Sequence, residues 1–488
     1  MILELLVVLT FLGGGTLLIR TTGLTGWPLP FVGYIAGVCL HIALGFALVA
    51  LGLPTTPLLV LPLTLALPAI AWTVALSRGR EVGIPTNLTL FVALVVAFAV
   101  VMLRGANLVA YHWDSFRYLT VGSLLERGEL ERAGLFLLET RLLAVPLLHA
   151  PAQIQGELYL RSVTPLLGVA TLGLVAWLLR TSLRPKLGDS GSLWFVVVGV
   201  GTLVSINRFV FHSFYLNGHL IVATLLFAVA AAPWVRSLAG DHLARPLLAM
   251  QLLAMPVLVV TRPETTLLAG LAILPFLLAD RFPFGERAAV AMALGSSIIA
   301  WNGFYVREHE GLDQVSGEVW FLLALGLLCF LALPLLCLRH LTRRASPLLG
   351  AIEVGLWCLL GVFALRDSDI LWRSLVATAR NGLLDAASWG VALGVLAVLT
   401  VLVWFFAPST GSIFLRFPLT TFVPFSFIMA YLRDGAYRVN PADSFNRMLF
   451  HIVPIAIVYV CSAAVAQDWS PPWRRSDRRP HRIEHLAR

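Results

Sequence analysis

The chain has 488 residues, of which 59% are hydrophobic and 12% charged, with a net charge of +9 and a mean hydropathy of +0.87. Soluble domains carry about 25% charged residues, so this composition excludes the soluble globular and disordered classes and leaves a polytopic membrane protein. The positive balance suits contact with anionic membrane lipids.

Taken in chain order, apolar runs fall at 2–19, 29–52, 56–76, 88–103, 160–179, 191–206, 217–235, 246–261, 264–279, 288–305, 319–338, 347–365, 389–407, 413–431 and 448–466. A hydrocarbon core of about 30 Å takes on the order of 20 helical residues to cross, and only a helix satisfies its own backbone there. The expected fold is therefore all-α, a polytopic transmembrane helical bundle of about 14 spans. Pro54, Pro57, Pro62 and Pro68 crowd the third run, where a kinked or partly re-entrant segment fits. The first run lacks a basic flank and a small-residue cleavage site and reads as a span, not a removable signal peptide.

Arginine sets the orientation. Arg474, Arg475, Arg478, Arg479 and Arg482 follow the last run closely, which favours a cytoplasmic tail. Counting back puts Arg339, Arg343 and Arg344, then Arg180, Arg184 and Lys186, then Arg78 and Arg80 on the same side. Regions 104–159, 207–216, 366–388 and 432–447 then face outward. They also carry many arginines, either because long loops translocate regardless of charge or because these side chains face an anionic substrate. The tail 467–488, with Pro471, Pro472 and Pro480 among its charges, reads as basic and disordered. It lies beside a membrane span with few interleaved aromatics, so no nucleic-acid partner is expected.

The outward loop 104–159 opens on Tyr111-His112-Trp113-Asp114-Ser115-Phe116-Arg117-Tyr118. Tyr118, Val121 and Leu125 recur at helical spacing, and Gly128 can close that helix. A second, more apolar helix is expected from Gly134 to His149. Both are expected to lie as amphipathic helices along the outer membrane surface. As a structural residue, Asp114 would cap the helix starting at Ser115, although Arg117 stands where a capping-box Glu or Gln would sit.

The Trp113-Asp114-Ser115 segment and the helix ending in Ser123-Leu124-Leu125-Glu126-Arg127-Gly128-Glu129-Leu130 resemble the first large outward loop of the GT-C class of integral-membrane glycosyltransferases. That class includes protein mannosyltransferases and the lipid A aminoarabinose transferase. Thr261-Arg262-Pro263-Glu264 resembles its Arg-Pro-Glu or Arg-Pro-Asp segments. Asp443-Ser444-Phe445-Asn446-Arg447-Met448-Leu449, with Pro454 beyond, resembles the ending of many such enzymes. The resemblance covers residues 88–466 as a catalytic module and leaves the N-terminal spans of 1–87 outside it. Ser115 stands where the class commonly has Glu, which leaves the subfamily open and weakens the case for a divalent metal.

The resemblance implies a sugar donor carried on a polyprenyl phosphate and transfer to a lipid, glycan or protein hydroxyl, with Asp114 as the base. Such an enzyme would be embedded in a bacterial-type cytoplasmic (inner) membrane with its active site facing outward. A phosphate leaving group calls for guanidinium donors. Arg447 is the first candidate, then Arg438, then Arg262. Arg447 can alternatively snorkel to headgroups, and Arg262 can form a structural ion pair with Glu264 at a helix break. His112, Tyr215, Asn217 and His219 are candidates to orient the substrates, against ordinary capping and interface anchoring. Trp113 can stack on a sugar ring or anchor at the interface.

No zinc signature, P-loop or Ser-His-Asp order stands out, and no cofactor or metal is expected. Cys39, Cys329, Cys337, Cys358 and Cys461 all fall in apolar runs, as small buried side chains would. Two other functions fit such a chain: a polymerase or ligase of lipid-linked glycans, with essential arginines in the later loops, and a secondary transporter, which calls for paired repeats with broken helices.

Overall fold

A computed structural model of the chain describes residues 2–53, 55–78, 113–130, 142–308, 317–384, 389–406, 413–440 and 443–465. Helices α1 (Ile2–Thr21), α2 (Leu29–Ala50) and α3 (Pro57–Ser77) come first, then α4 (Trp113–Arg127) and α5 (Ala144–His149). The chain continues through α6 (Val163–Ser205), α7 (Asn207–Ser213), α8 (His219–Ala239), α9 (Ala244–Val259), α10 (Pro263–Leu277), α11 (Phe284–Glu308) and α12 (Gly317–Ala332). It ends with α13 (Ala345–Arg366), α14 (Ser368–Ala379), α15 (Val391–Phe406), α16 (Ile413–Leu432), α17 (Ser444–Met448) and α18 (Val453–Ala464). No strand occurs among the described residues. Among them, 10 helices are long and apolar enough to cross a membrane. The chain is an all-helical membrane protein.

Most expected runs appear with small changes of boundary. The runs 160–179 and 191–206 are joined in α6, which turns at Gly188 (φ 69°, ψ −174°), a left-handed position that favours glycine. The third run is one helix of 21 residues that continues through Pro62 and Pro68. The run 88–103, Pro54 and the tail lie outside the described residues.

The helix α4 forms as its spacing implies: Tyr118, Val121 and Leu125 are buried, and Gly128 follows it at φ +67°. Its described part begins at Trp113, and the backbone at Asp114 is helical. The second loop helix differs from expectation. Residues 134–141 lie outside the described residues, and α5 has all its side chains buried instead of lying along a surface. The physical reason is its composition, Ala144-Val145-Pro146-Leu147-Leu148-His149, which has no polar face to turn outward. Its Ala144 N–H donates to Val260 O at 2.8 Å, fixing the loop to the end of α9.

At the centre stands α8, with nearly every residue buried, while most of α13 is not buried. Val362 (62% exposed), Leu365 (91%) and Val391 (76%) on α13 and α15 present apolar surface that water would penalise and lipid chains solvate. On α13 Cys358 is exposed with them, contrary to the expectation of burial; Cys39, Cys337 and Cys461 are buried, and the Cys329 side chain lies outside the described residues. Helices α1 and α2 cross backbone to backbone, because a Cβ on Gly15 would overlap the Gly33 carbonyl.

Two groups of charges sit at the two ends of α8. His219 begins the helix and Arg236 closes it, about 25 Å away at 1.5 Å per residue. At the second end Arg236 donates to Glu286 Oε2 (2.6 Å) and Asp241 Oδ1 (3.1 Å). Arg281 lies 5.0 Å from the Phe282 ring centroid and 4.8 Å from that of Phe414.

Candidate functional site

The site is built at the break between α9 and α10. Pro263 disfavours helix at the residue before it, so Arg262 is extended (φ −157°, ψ 149°) and Pro263 opens the new helix. This turns Arg262 and Glu264 toward each other, with Arg262 Nε donating to Glu264 Oε1 at 2.7 Å. Both side chains are buried, at 9% and 1% exposure. The structural ion pair considered from sequence is therefore formed, and it has further partners. Arg262 Nη1 donates to Tyr118 Oη at 3.4 Å, and Arg433 Nη2 lies 3.8 Å from Glu264 Oε2. Three elements far apart in sequence thus meet at one buried ion pair.

Beside this group are three buried histidines. His219 Nδ1 and His451 Nε2 share a hydrogen bond of 2.8 Å between stacked rings. The His212 ring centroid is 5.2 Å from that of His219, and His212 stacks on Phe450 at 4.7 Å. Burial, then the charges of Arg208, His451 and Arg447, hold His212 well below the ordinary imidazole range, with the nearby Asn217 side chain opposing them. The charges of Arg262 and Arg447 both act on His219, and those of Glu264, Arg262 and Arg447 act on His451. The Arg262 group and the histidines are therefore one electrostatic site.

The last loop is held in place from several sides. Asp443 caps α17, accepting from Phe445 N and Arg438 N, both at 3.0 Å. Asn381 Nδ2 donates to Arg438 O at 2.8 Å, and the Trp389 indole N–H donates to Asn446 Oδ1. Tyr437 donates to Ser426 O at 2.6 Å, and burial pushes its phenol above the usual range, with Arg433 opposing. Next to Trp389 lies an open apolar groove of about 420 Å³, lined by Leu383, Gly390, Gly394 and Val398 among others.

Of the residues picked out from sequence, Arg262, Glu264, His219, Asn217 and Arg447 come together here. Asn217 Oδ1 also accepts from His219 N at 3.4 Å, the capping contact weighed for it. Tyr215 is buried next to them, 4.9 Å from the Phe211 ring. Arg438 has an exposed side chain and is tied to the loop by its backbone. His112 lies outside the described residues, as do the side chains of Trp113 and Asp114. Tyr118, His212, Arg433 and His451 belong to the site although sequence reasoning did not select them for it. A usable signal existed for two: His212 follows Arg208, and His451 follows Arg447, by four residues, the spacing that puts side chains on one helix face.

The site is rich in positive charge: Arg262, Arg433 and Arg447 are three guanidinium groups, the first two of them paired with Glu264. Among the described residues no group of three or more His, Cys, Asp or Glu side chains could hold a metal ion. No protein-family model, curated protein or solved structure matches the chain.

Proposed function

We propose that the chain is an inverting integral-membrane glycosyltransferase of about 14 spans. It takes a sugar from a polyprenyl-phosphate donor and passes it to a hydroxyl at the outer face of a bacterial-type inner membrane. The observation that carries the reading is the Arg262–Tyr118 hydrogen bond of 3.4 Å. It ties α4 to the arginine site, and position 114 is one turn before Tyr118 on the same helix face.

Transfer needs three things from the protein. As the acceptor oxygen bonds the anomeric carbon, its proton goes to a base, a role we give Asp114. The bond from that carbon to the phosphate oxygen breaks, and the electron pair stays on the phosphate. Arg447, with Arg262 and Arg433, offsets the developing charge through their N–H donors. Arg438, more exposed, meets the phosphate on its way in. Asn217, His219, Tyr215 and His112 orient the sugar and acceptor, with Trp113 against the sugar ring.

The apolar groove beside Trp389 supports lateral entry of a lipid chain, because the Trp389–Asn446 bond puts it next to the residue preceding Arg447. The orientation follows from the arginines: the Arg236 end inside, the Arg262 end outside.

The test is to reconstitute the purified protein in liposomes with a radiolabelled polyprenyl-phosphate sugar. Transfer or slow hydrolysis of the donor, lost in Arg447→Gln, is expected. An inert donor with a folded protein would contradict the reading.

A further inference from the structure

The bond between His219 and His451 has a property that the transfer scheme leaves unused. Each neutral imidazole carries one N–H and one bare nitrogen. One N–H is consumed in the 2.8 Å bond between Nδ1 of His219 and Nε2 of His451. The outer atoms, His219 Nε2 and His451 Nδ1, must then be one donor and one acceptor. If His219 donates inward, His451 Nδ1 bears the outer proton and His219 Nε2 is bare; in the other tautomer the two swap. Both rings are fully buried, and among the described residues neither outer nitrogen has a hydrogen-bond partner. Leaving two such groups unsatisfied costs about 1–3 kcal/mol each.

We infer that the His219–His451 pair is a two-ended proton relay that protonates the phosphate as it leaves. The inference rests on the sugar-transfer reading. When the carbon–oxygen bond breaks, the phosphate oxygen takes the outer proton of one ring. The shared proton crosses the 2.8 Å bond to that ring. The second ring accepts, at its bare nitrogen, the proton that Asp114 removed from the acceptor, carried over by water. Asp114 returns to carboxylate, the pair begins and ends neutral, and the net result moves the acceptor's proton to the phosphate. Exchange with solvent between turnovers restores the starting tautomers.

Arg262 and Arg447, the cations assigned to the phosphate, act on both rings, while Glu264 acts on His451 and His212 on His219. His219 begins α8, and His451 lies one turn beyond Arg447, so both rings are fixed by buried backbone.

The experiment uses the reconstituted full chain and the radiolabelled polyprenyl-phosphate sugar. His219→Gln and His451→Gln keep an amide able to hydrogen-bond but unable to pass a proton through. Each is expected to lower the transfer rate by about 10²–10⁴-fold, the range of general acid–base contributions, without a matching loss of thermal stability. In mixtures of light and heavy water the wild-type rate should curve with deuterium fraction, because two protons move together, and the residual rate of the variants should not. A wild-type plot that is linear, or a Gln variant within about threefold of wild type where acid–base loss should exceed about 10², would overturn the relay. If the Gln variants do not fold, His451→Ala with added imidazole decides: recovery supports the relay and no recovery overturns it. Absence of any transfer by folded wild type would instead remove the glycosyltransferase reading, and the relay with it.

Discussion

Arg262 donates to the phenol of Tyr118 at 3.4 Å, joining two buried side chains 144 positions apart. The first belongs to a helix break, the second to a loop helix between spans. That bond is what brings the start of α4 to the site, and most consequences of the structure can be traced from it.

Removing the phenol should loosen the loop helix without unfolding the bundle. Tyr118→Phe is expected to cost about 1 kcal/mol, the usual net value of such a bond. Arg262→Lys should cost more, because an ammonium cannot hold Glu264 and Tyr118 in the planar fork that a guanidinium provides. Thermal unfolding in detergent checks both, and the double variant should be less destabilised than the sum of the two.

Glu264 should matter for folding before it matters for chemistry. Breaking a buried pair by removing one partner costs about 3–5 kcal/mol, since the other charge is left uncompensated. Glu264→Ala is therefore expected to be poorly folded, and Glu264→Ala with Arg262→Leu to recover much of the loss. Yield and melting temperature of the three proteins decide this. A double variant no better than the single would contradict it.

Acid should weaken the loop through His149. Burial lowers its pKa from about 6.5 to about 3, and its Nδ1 accepts from Leu160 N at 3.2 Å, so the neutral ring is the folded form. A lowered histidine pKa means that the unfolded chain binds the proton first. The contribution is whole above pH 6.5 and is lost as pH falls toward 3, reaching about 2 kcal/mol by pH 5. The melting temperature should fall over that window, and His149→Gln should flatten the fall. An unchanged slope would show that His149 is not responsible.

The two ends of α8 should label from opposite sides of the membrane. Val439→Cys, in the loop beside Arg438, should react with an impermeant thiol reagent on intact cells, and His242→Cys, beside Asp241, only after lysis. The exposed Cys358 is replaced first in both. The reverse pattern would invert the orientation and move the site to the cytoplasmic face.

The helical spans were legible because apolar length is a strong signal and α8 to α11 follow it within a few residues. The Arg262–Glu264 pair was legible too, since Pro263 forces a break at which two charges must meet. Burial of α5 was not: a short apolar stretch reads alike whether it lies on a membrane or inside a bundle. Arg433 was missed because tertiary packing alone brings it to Glu264, more than 160 positions earlier. Periodicity along one helix carries no record of such a meeting.

The central claim is that the position one turn before Tyr118 bears the base of a sugar transfer. The most direct measurement is the transfer rate from a polyprenyl-phosphate sugar by folded Asp114→Asn, beside wild type, in the same liposomes. A fall of about 10²-fold or more is expected, as for loss of a general base, with expression and melting temperature kept. Transfer at the wild-type rate would contradict the account.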